Sequence, residues 1–497
     1  MSLTFTDIFC GAGGSSTGLV AAGYELKLAA NHWQRAIETH AANHRDADHL
    51  CADINNYDMR RLPKTDILWA SPICTEISPA GGRKRKPVHG QIGIDLQDYG
   101  VVPDAAWERT RATAYDVIRA TEVHRYKAIL CENVLEFVVD WELFDWWRKG
   151  MEMLGYNSQI VSASSAHIGA GDNLPAPQWR DRIYVVFTRK DIPLPDLKPR
   201  PAAWCTECDE QILAVQSWRN GRTVGKYKQQ YDYRCPNSKC RHAIVEPYVR
   251  PAASIIDWSN LGVRIGDRPT HGLRPLAANT VKRIRAGLDL LGRQRMVLTV
   301  NHGGHDGRAY PADAAPLAAR TVKIGDAVLV PAGGTWNTEP TSTSEPMRTR
   351  LANPKGFEAL LTPPQADDSF IVTLRRNATS APVSEPVDTV TAKGRHHWLV
   401  IPYRNAATRT TGQPLHTLGT KDSAGLLEPA PALEDCHYRM IQPREQLLAQ
   451  RFPGDYIVHG NKGEQTMQAG NAVSCNVAQW VGSRVWDALN RTAATAA

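Results

Sequence analysis

Leu3-Thr4-Phe5-Thr6-Asp7-Ile8-Phe9-Cys10-Gly11-Ala12-Gly13-Gly14-Ser15-Ser16 is the stretch on which the fold turns. A β-rich run from Leu3 to Phe9 ends abruptly in glycines, and Ser15 to Ala22 then reads as a helix start. Glycines at such a turn let the backbone approach a ligand closely, and the free N–H groups of a helix start favour an electronegative group. Alone this is a weak signal, because a tight strand-to-helix connection needs the same residues. Working outward, strand-like runs recur at Glu25 to Ala30, Ile67 to Ala70, Ala128 to Cys131 and Ile183 to Phe187, with helical patterns between them. Strands separated by helices predict an α/β, Rossmann-like, doubly wound and largely parallel sheet, whose ligands sit beyond the carboxyl ends of the strands.

The residues just past those runs carry chemistry. Asn31-His32-Trp33 stands where such folds usually place a ribose-binding acid, and Asp53, before Ile54, is suited to accept a hydrogen bond from an adenine amino group. Ser71-Pro72-Ile73-Cys74 closes another run and enters the basic, glycine-hinged Pro79-Ala80-Gly81-Gly82-Arg83-Lys84-Arg85-Lys86. A cysteine there is well placed to be a nucleophile beneath a loop that meets phosphates; a buried structural cysteine is the alternative, and for an isolated Cys the commoner one. Glu132-Asn133-Val134 offers a carboxyl group whose burial would raise its pKa for proton exchange with a ring nitrogen. In Gln178-Trp179-Arg180-Asp181-Arg182 a period of two predicts that Gln178, Arg180 and Arg182 share one face, either bordering Cys74 or as a solvated, ion-paired strand face.

Taken in order, these blocks resemble the motifs of the DNA (cytosine-5) methyltransferase family: a cofactor loop Asp-x-Phe-x-Gly-x-Gly-Gly, a Pro-x-Cys nucleophile segment, Glu-Asn-Val and Gln-x-Arg-x-Arg. The resemblance resumes at Tyr438-Arg439-Met440-Ile441-Gln442-Pro443-Arg444-Glu445 and at Gln468-Ala469-Gly470-Asn471-Ala472-Val473, so it covers residues 1 to about 190 and 436 to about 490. It implies S-adenosylmethionine as methyl donor, bound by Phe9, Gly11, Ala12, Gly13, Gly14, His32, Trp33, Asp53, Ile54, Pro72 and Asn471. It implies a catalytic set of Cys74, Glu132, Asn133, Gln178, Arg180 and Arg182. In that family the cysteine adds to C6 of a cytosine flipped out of duplex DNA, the glutamate serves N3, and the arginines hold the base or a phosphate. Two departures stand out: Ile73 and Thr75 flank Cys74 where most members have Pro and Gln, and His32 stands where the family binds ribose with a glutamate.

A proline-rich stretch, Ile192 to Pro201, marks a boundary, followed by Cys205-x2-Cys208 and Cys235-x4-Cys240 with 26 residues between the pairs. Four thiolates so spaced predict a closed, structural Zn2+ site in a zinc-ribbon-like module, with His242 as a spare ligand. Nearby Trp218, Arg219, Arg222, Lys226, Lys228 and Tyr231 face either DNA or solvent. From about 295 to 430 short apolar runs alternate with Gly, Pro, Asn and Thr, and a loose repeat starts at Pro316, Pro346, Pro386 and Pro414, at intervals of 30, 40 and 28 residues. The expected division is therefore 1–195 for the first part of the catalytic domain, 200–250 for the zinc-binding insert, 251–435 for a β-rich target-recognition region, and 436–497 for the part that completes the catalytic domain.

Composition is compatible with this. The 497 residues exceed one ordinary core, and a net charge of 58 − 51 = +7 mildly favours a polyanion such as double-stranded DNA. No window approaches the roughly 18 apolar residues of a membrane span, and the opening residues lack a basic segment followed by an apolar one. Ten cysteines without a secretory pattern argue for metal binding or catalysis over disulfides. A cytoplasmic, monomeric protein with no membrane association is expected, and no residue decides between host restriction-modification, an orphan regulator and protection of mobile-element DNA as its role. The alternatives are a catalytically silent zinc-containing DNA-binding protein and a methyltransferase acting on cytosine in RNA.

Overall fold

The computed structural model describes residues 2–72, 104–291, 296–299, 309–312, 315–317, 326–330, 370–373, 380–386, 408–409, 411–413, 424–427 and 433–495. Its first half alternates β1 (Thr4–Ile8), α1 (Gly14–Ala21), β2 (Glu25–Asn31), α2 (Gln34–Asn43), β3 (Asp48–Cys51), β4 (Ile67–Ala70), α3 (Asp104–His124), β5 (Ala128–Asn133), α4 (Glu136–Val139), α5 (Phe144–Met153), β6 (Tyr156–Ser164) and β7 (Asp181–Arg189). The seven strands form one sheet in the order β3-β2-β1-β4-β5-β7-β6. Pairing is parallel from β3 through β5, while β7 runs antiparallel between β5 and β6. The chain thus winds outward from β1 in both directions, and the switch point where ligands bind in such sheets lies between β1 and β4.

Alternation within each strand divides two cores. Phe5, Trp69 and Leu130 face one layer with Leu19 of α1; Ile8, Leu68, Ala70 and Ile129 face the other with Trp147 and Met151 of α5. Both faces being covered explains why the strands read as continuous apolar runs. The first layer is closed from the far end of the chain: α9 (Cys475–Thr495) packs against α1 and contributes Val477, Val481 and Val485. Gly18 permits this approach, since a Cβ there would lie 2.5 Å from the Cys475 carbonyl and from Ala478 Cβ. The proline-rich stretch is fastened to this same core, with Ile192 and Leu197 buried in it.

After it comes the cysteine-bearing module, a hairpin of β8 (Ala202–Cys205) and β9 (Glu210–Leu213) and an antiparallel sheet of β10 (Val215–Trp218), β11 (Tyr231–Arg234) and β12 (Ile244–Val245) around its own small core. Beyond it, β13 (Val263–Arg264), α6 (Ala278–Leu291), β14 (Met296–Thr299), β15 (Ala309–Pro311) and β16 (Asp326–Val330) precede a further sheet of β17 (Phe370–Thr373), β18 (Ser380–Pro386), β19 (Thr408–Arg409), β20 (Thr411–Gln413) and β21 (Ala424–Leu427). Then β22 (His437–Met440) joins the sheet β13-β22-β16-β14-β15, and α7 (Pro443–Leu448) and α8 (Lys462–Asn471) lead into α9. Of the proline-led repeat, Pro346 and Pro414 lie outside the described residues, Pro316 precedes an isolated bridge at Leu317, and Pro386 ends β18, the run after it lying outside the described residues. Among the described residues no helix is long and apolar enough to cross a membrane.

Candidate active site and cysteine cluster

The carboxyl ends of β1 to β5 lie along one edge of the sheet. Because β7 is antiparallel, its beginning lies there too: Asn133 is opposite Ile183, and Glu132 opposite Tyr184. This brings Arg182 Nε to 3.3 Å from Glu132 Oε1, both side chains being largely buried. Burial raises the pKa of Glu132, against the charges of Arg182 and then Arg180. Asn133 Nδ2 donates to the Pro72 carbonyl at 3.1 Å, tying the end of β5 to the segment two residues before Cys74. Cys74 itself, with Ile73, Thr75 and the basic loop, lies outside the described residues.

Of Gln178, Arg180 and Arg182 only Arg182 lies within a strand, and the charges of both arginines act on Glu132. The strand begins only at Asp181, so the two earlier side chains are directed by other contacts. Gln178 is fully buried in a bridge with Leu317, and the Trp179 amide donates to the Leu317 carbonyl. Arg180, also buried, sends its guanidinium to the carbonyls of Gly470 (3.4 Å) and Ala472 (2.6 Å), on either side of the exposed Asn471. It joins β7 to the far end of the chain, a link of 290 residues that no local pattern signals.

At the glycine-rich turn, Phe9 has φ 65°, Gly11 φ 53° and Gly13 φ 90°. The three glycines do different things. A Cβ on Gly11 would meet open space, whereas one on Gly13 would lie 2.5 Å from the Tyr456 hydroxyl and one on Gly14 2.0 Å from the Val473 carbonyl. Gly13 and Gly14 therefore make room for the C-terminal segment, and Gly11 keeps the turn open. Tyr456 also donates its hydroxyl proton to the Ala12 carbonyl at 2.5 Å. Beneath the turn, Ser15 and Ser16 donate to the fully buried Asp7 at 2.6 and 2.7 Å, and burial raises that carboxyl to about 7. Ser16 continues to His40 (3.0 Å), and His40 to His49 (2.9 Å), a polar chain that sequence reading missed because its members are far apart in sequence. Past β2 and β3, His32 and Asp53 are exposed, Trp33 is half-buried with its amide on Asn31 Oδ1 at 2.9 Å, and Ile54 is buried below. Asp53 accepts from the Asn55 amide and Asn56 Nδ2. These residues leave an open rim bearing an aromatic ring, hydrogen-bonding side chains and open space at Gly11, which fits a nucleoside with a charged tail.

The model for C-5 cytosine-specific DNA methylases matches residues 3–247 and 336–486. The chain belongs to this family. It is similar to the type II methyltransferase M.AgeI of Thalassovita gelatinovora, 26% identical over 190 residues, covering 36% of this chain and 38% of the relative. It is also similar to M.FnuDI of Fusobacterium nucleatum, 27% identical over 229 residues, covering 45% and 58% respectively. The chain thus spans between about two fifths and three fifths of the length of these relatives. A solved methyltransferase structure from Entamoeba histolytica aligns over 98% of this chain and 99% of that one at 11% identity, with a TM-score of 0.46.

The sulfurs of Cys205, Cys208, Cys235 and Cys240 all lie within 4.8 Å of one another. Cys208 and Cys235 are 3.9 Å apart, too far for a disulfide but close to the edge of about 3.8 Å that four Zn–S bonds of 2.3 Å require of a tetrahedron. His242 turns away, its Nδ1 on the Cys235 carbonyl at 3.1 Å. Of the basic residues around the module, Arg219 is paired with Asp232 and Lys228 with Glu246, while Arg222 is exposed.

Proposed function

We propose that this methylase transfers a methyl group to C5 of a cytosine flipped out of a specific double-stranded DNA sequence, as a type II modification enzyme. The observation carrying the reading is the Glu132–Arg182 pair at the end of β5, bonded through Asn133 to the segment that leads into Cys74. C5 of cytosine is a weak nucleophile. In this reading the Cys74 thiolate adds to C6, and Glu132, its carboxyl made more basic by burial, gives a proton or hydrogen bond to N3, so that C5 becomes nucleophilic. Arg182 orients that carboxyl and the base carbonyl, and Arg180 acts one step behind, holding the C-terminal end of α8 at Gly470–Ala472. Once C5 carries the methyl group, loss of its proton expels the thiolate and restores the ring.

S-adenosylmethionine would supply the methyl group, its electrophilicity coming from the sulfonium. The open turn at Gly11 would take its amino-acid end, Trp33 would cover the adenine, Asp53 would accept from the adenine amino group, and His32 would meet the ribose. With one acceptor nitrogen, neutral His32 binds a single ribose hydroxyl. The four cysteines, by their spacing and sulfur separations, suit a structural Zn2+. Residues 251–435 are assigned to target recognition between the catalytic parts 1–195 and 436–497.

Tritiated S-adenosylmethionine, offered with duplex DNA and with tRNA to wild type and to Cys74→Ser, tests the assignment. Label in duplex DNA and a denaturant-resistant adduct with 5-fluorocytosine DNA are expected, both lost in Cys74→Ser. Label in tRNA alone would establish the RNA reading. A folded protein that binds DNA with neither label nor adduct would be a silent binder.

A further inference from the structure

The cysteine module is packed against the segment that carries Arg180 and Arg182. Ser162 of β6 donates its hydroxyl to the Gly225 carbonyl at 2.8 Å and accepts from the Gly225 amide at 3.3 Å, and Gln216 Nε2 reaches the Ser162 carbonyl at 2.9 Å. The Tyr227 amide meets Asp181, the residue between the two arginines, at 3.4 Å. Between module and sheet lies an aromatic wedge. Tyr227 stacks on Trp179 with ring centroids 5.9 Å apart and planes 22° from parallel, and His167 makes T-shaped contacts with Trp179 (5.2 Å), Tyr227 (4.5 Å) and Tyr233 (5.0 Å). Tyr227 and Tyr233 in turn pack on Tyr231 at 5.8 and 5.7 Å. Neither ring nitrogen of His167 has a hydrogen-bond partner among the described residues, so packing alone holds this buried ring. Tyr233 is two residues from Cys235, on the strand that delivers it to the sulfur cluster.

We infer that the Cys205–Cys208–Cys235–Cys240 module is a positioning support for the active site: through Tyr227, Tyr231 and Tyr233 it fixes the Trp179–Arg182 segment, so that metal occupancy governs turnover and not DNA affinity. The inference rests on the methyltransferase and metal readings above. Four thiolates drawn onto one ion fix the end of β11, β11 fixes the wedge, and the wedge stacks on Trp179. Without that fixed end, Arg182 wanders relative to Glu132, and displacements of about 1 Å at a reacting site cost up to about a hundredfold in rate.

The full chain is assayed as wild type, Tyr227→Ala, Tyr227→Phe and Cys240→Ser. Four properties are read: metal content by mass spectrometry, single-turnover methyl transfer, Kd for duplex DNA, and hydrogen exchange over residues 176–187. The wild type should carry about one zinc per chain. Tyr227→Ala should keep the metal, lose about tenfold or more in single-turnover rate, and hold DNA affinity within about twofold; Tyr227→Phe should restore the rate. Cys240→Ser should lose metal and rate together, and both impaired variants should exchange faster over 176–187. A wild-type rate and wild-type exchange in Tyr227→Ala would overturn the inference, as would a loss confined to DNA affinity. Metal-free wild type with a slow Tyr227→Ala would overturn only the metal link. Should wild type transfer no methyl group, the activity reading fails, and hydrogen exchange still decides whether the module supports the segment.

Discussion

Glu445 is a buried carboxylate shared by Arg439 and two backbone amides, and its removal has a calculable cost. It is buried at the start of α7 and accepts four hydrogen bonds, from Arg439 Nη1 (2.8 Å), Arg439 Nη2 (2.7 Å), the Asp257 amide (2.8 Å) and the Gln442 amide (2.7 Å). Arg439 is buried as well, on β22. Glu445→Ala leaves a buried guanidinium without its counter-charge, at about 3–5 kcal/mol, and opens the capping box, at about 0.5–2 kcal/mol. These terms overlap, so a local loss of about 4 kcal/mol is expected. Replacing both charges in Arg439→Met/Glu445→Leu removes the stranded cation and should recover at least about 2 kcal/mol of it. Hydrogen exchange over residues 437–449 measures the local opening free energy directly, with no assumption that the whole chain unfolds in one step. Because the pair is buried, the effect should persist in high salt. The reasoning is refuted if Glu445→Ala costs less than about 1 kcal/mol, or if the double replacement is as damaging as the sum of the singles.

Three further outcomes are expected. Glu132→Gln should lower single-turnover methyl transfer by about 10²–10⁴-fold with S-adenosylmethionine affinity nearly unchanged, as measured by rapid quench and calorimetry; an unchanged rate would remove Glu132 from proton transfer. Tyr456→Phe deletes the hydrogen bond to Ala12, worth about 1 kcal/mol, and should weaken cofactor binding several-fold in a titration while leaving the protein folded. The native Asp7 carboxyl, raised from 3.8 to about 7, holds its proton where the unfolded chain has lost it, so its contribution is full below about 3.8 and is lost as pH rises through 7. That amounts to about 4 kcal/mol at most, and Asp7→Asn should flatten the fall in Tm between about pH 4 and 7; a parallel fall in both proteins would acquit Asp7.

What was legible in the sequence follows from how local each cause is. Ile67–Ala70 and Ala128–Asn133 read as buried strands because helices cover both faces of the sheet, which leaves an uninterrupted apolar signature. The cysteine pairs were legible because two short spacings suffice to bring four sulfurs together. The strand read as Leu3 to Phe9 ends at Ile8, since Phe9 takes a left-handed backbone that its residue type does not announce. The direction of β7 was not legible either, because a buried strand has the same pattern whichever way it runs. The partners of Gln178 and Arg180 were not legible for a related reason: alternation orients side chains only inside a strand, and these two residues precede β7 and meet Leu317 and Gly470 and Ala472, contacts that depend on tertiary closure.

The glycine-rich turn shows why such closure matters to function. Read locally, its glycines all serve a ligand. In the folded chain two of them serve Tyr456 and Val473, residues more than four hundred positions away, and only Gly11 faces open space. Tyr456 is itself fixed by Arg444, whose Nη1 donates to its carbonyl at 2.9 Å, and Arg444 is the residue before Glu445. The C-terminal end of α8 at Gly470–Ala472 is fixed by Arg180, two residues before the arginine that pairs with Glu132. The two edges assigned above to cofactor and base are therefore built on the same C-terminal segment, one through Tyr456 and the other through Arg180. A change that loosens the segment at Glu445 should accordingly weaken cofactor binding and slow methyl transfer together, whereas a change at Tyr227 should slow transfer alone.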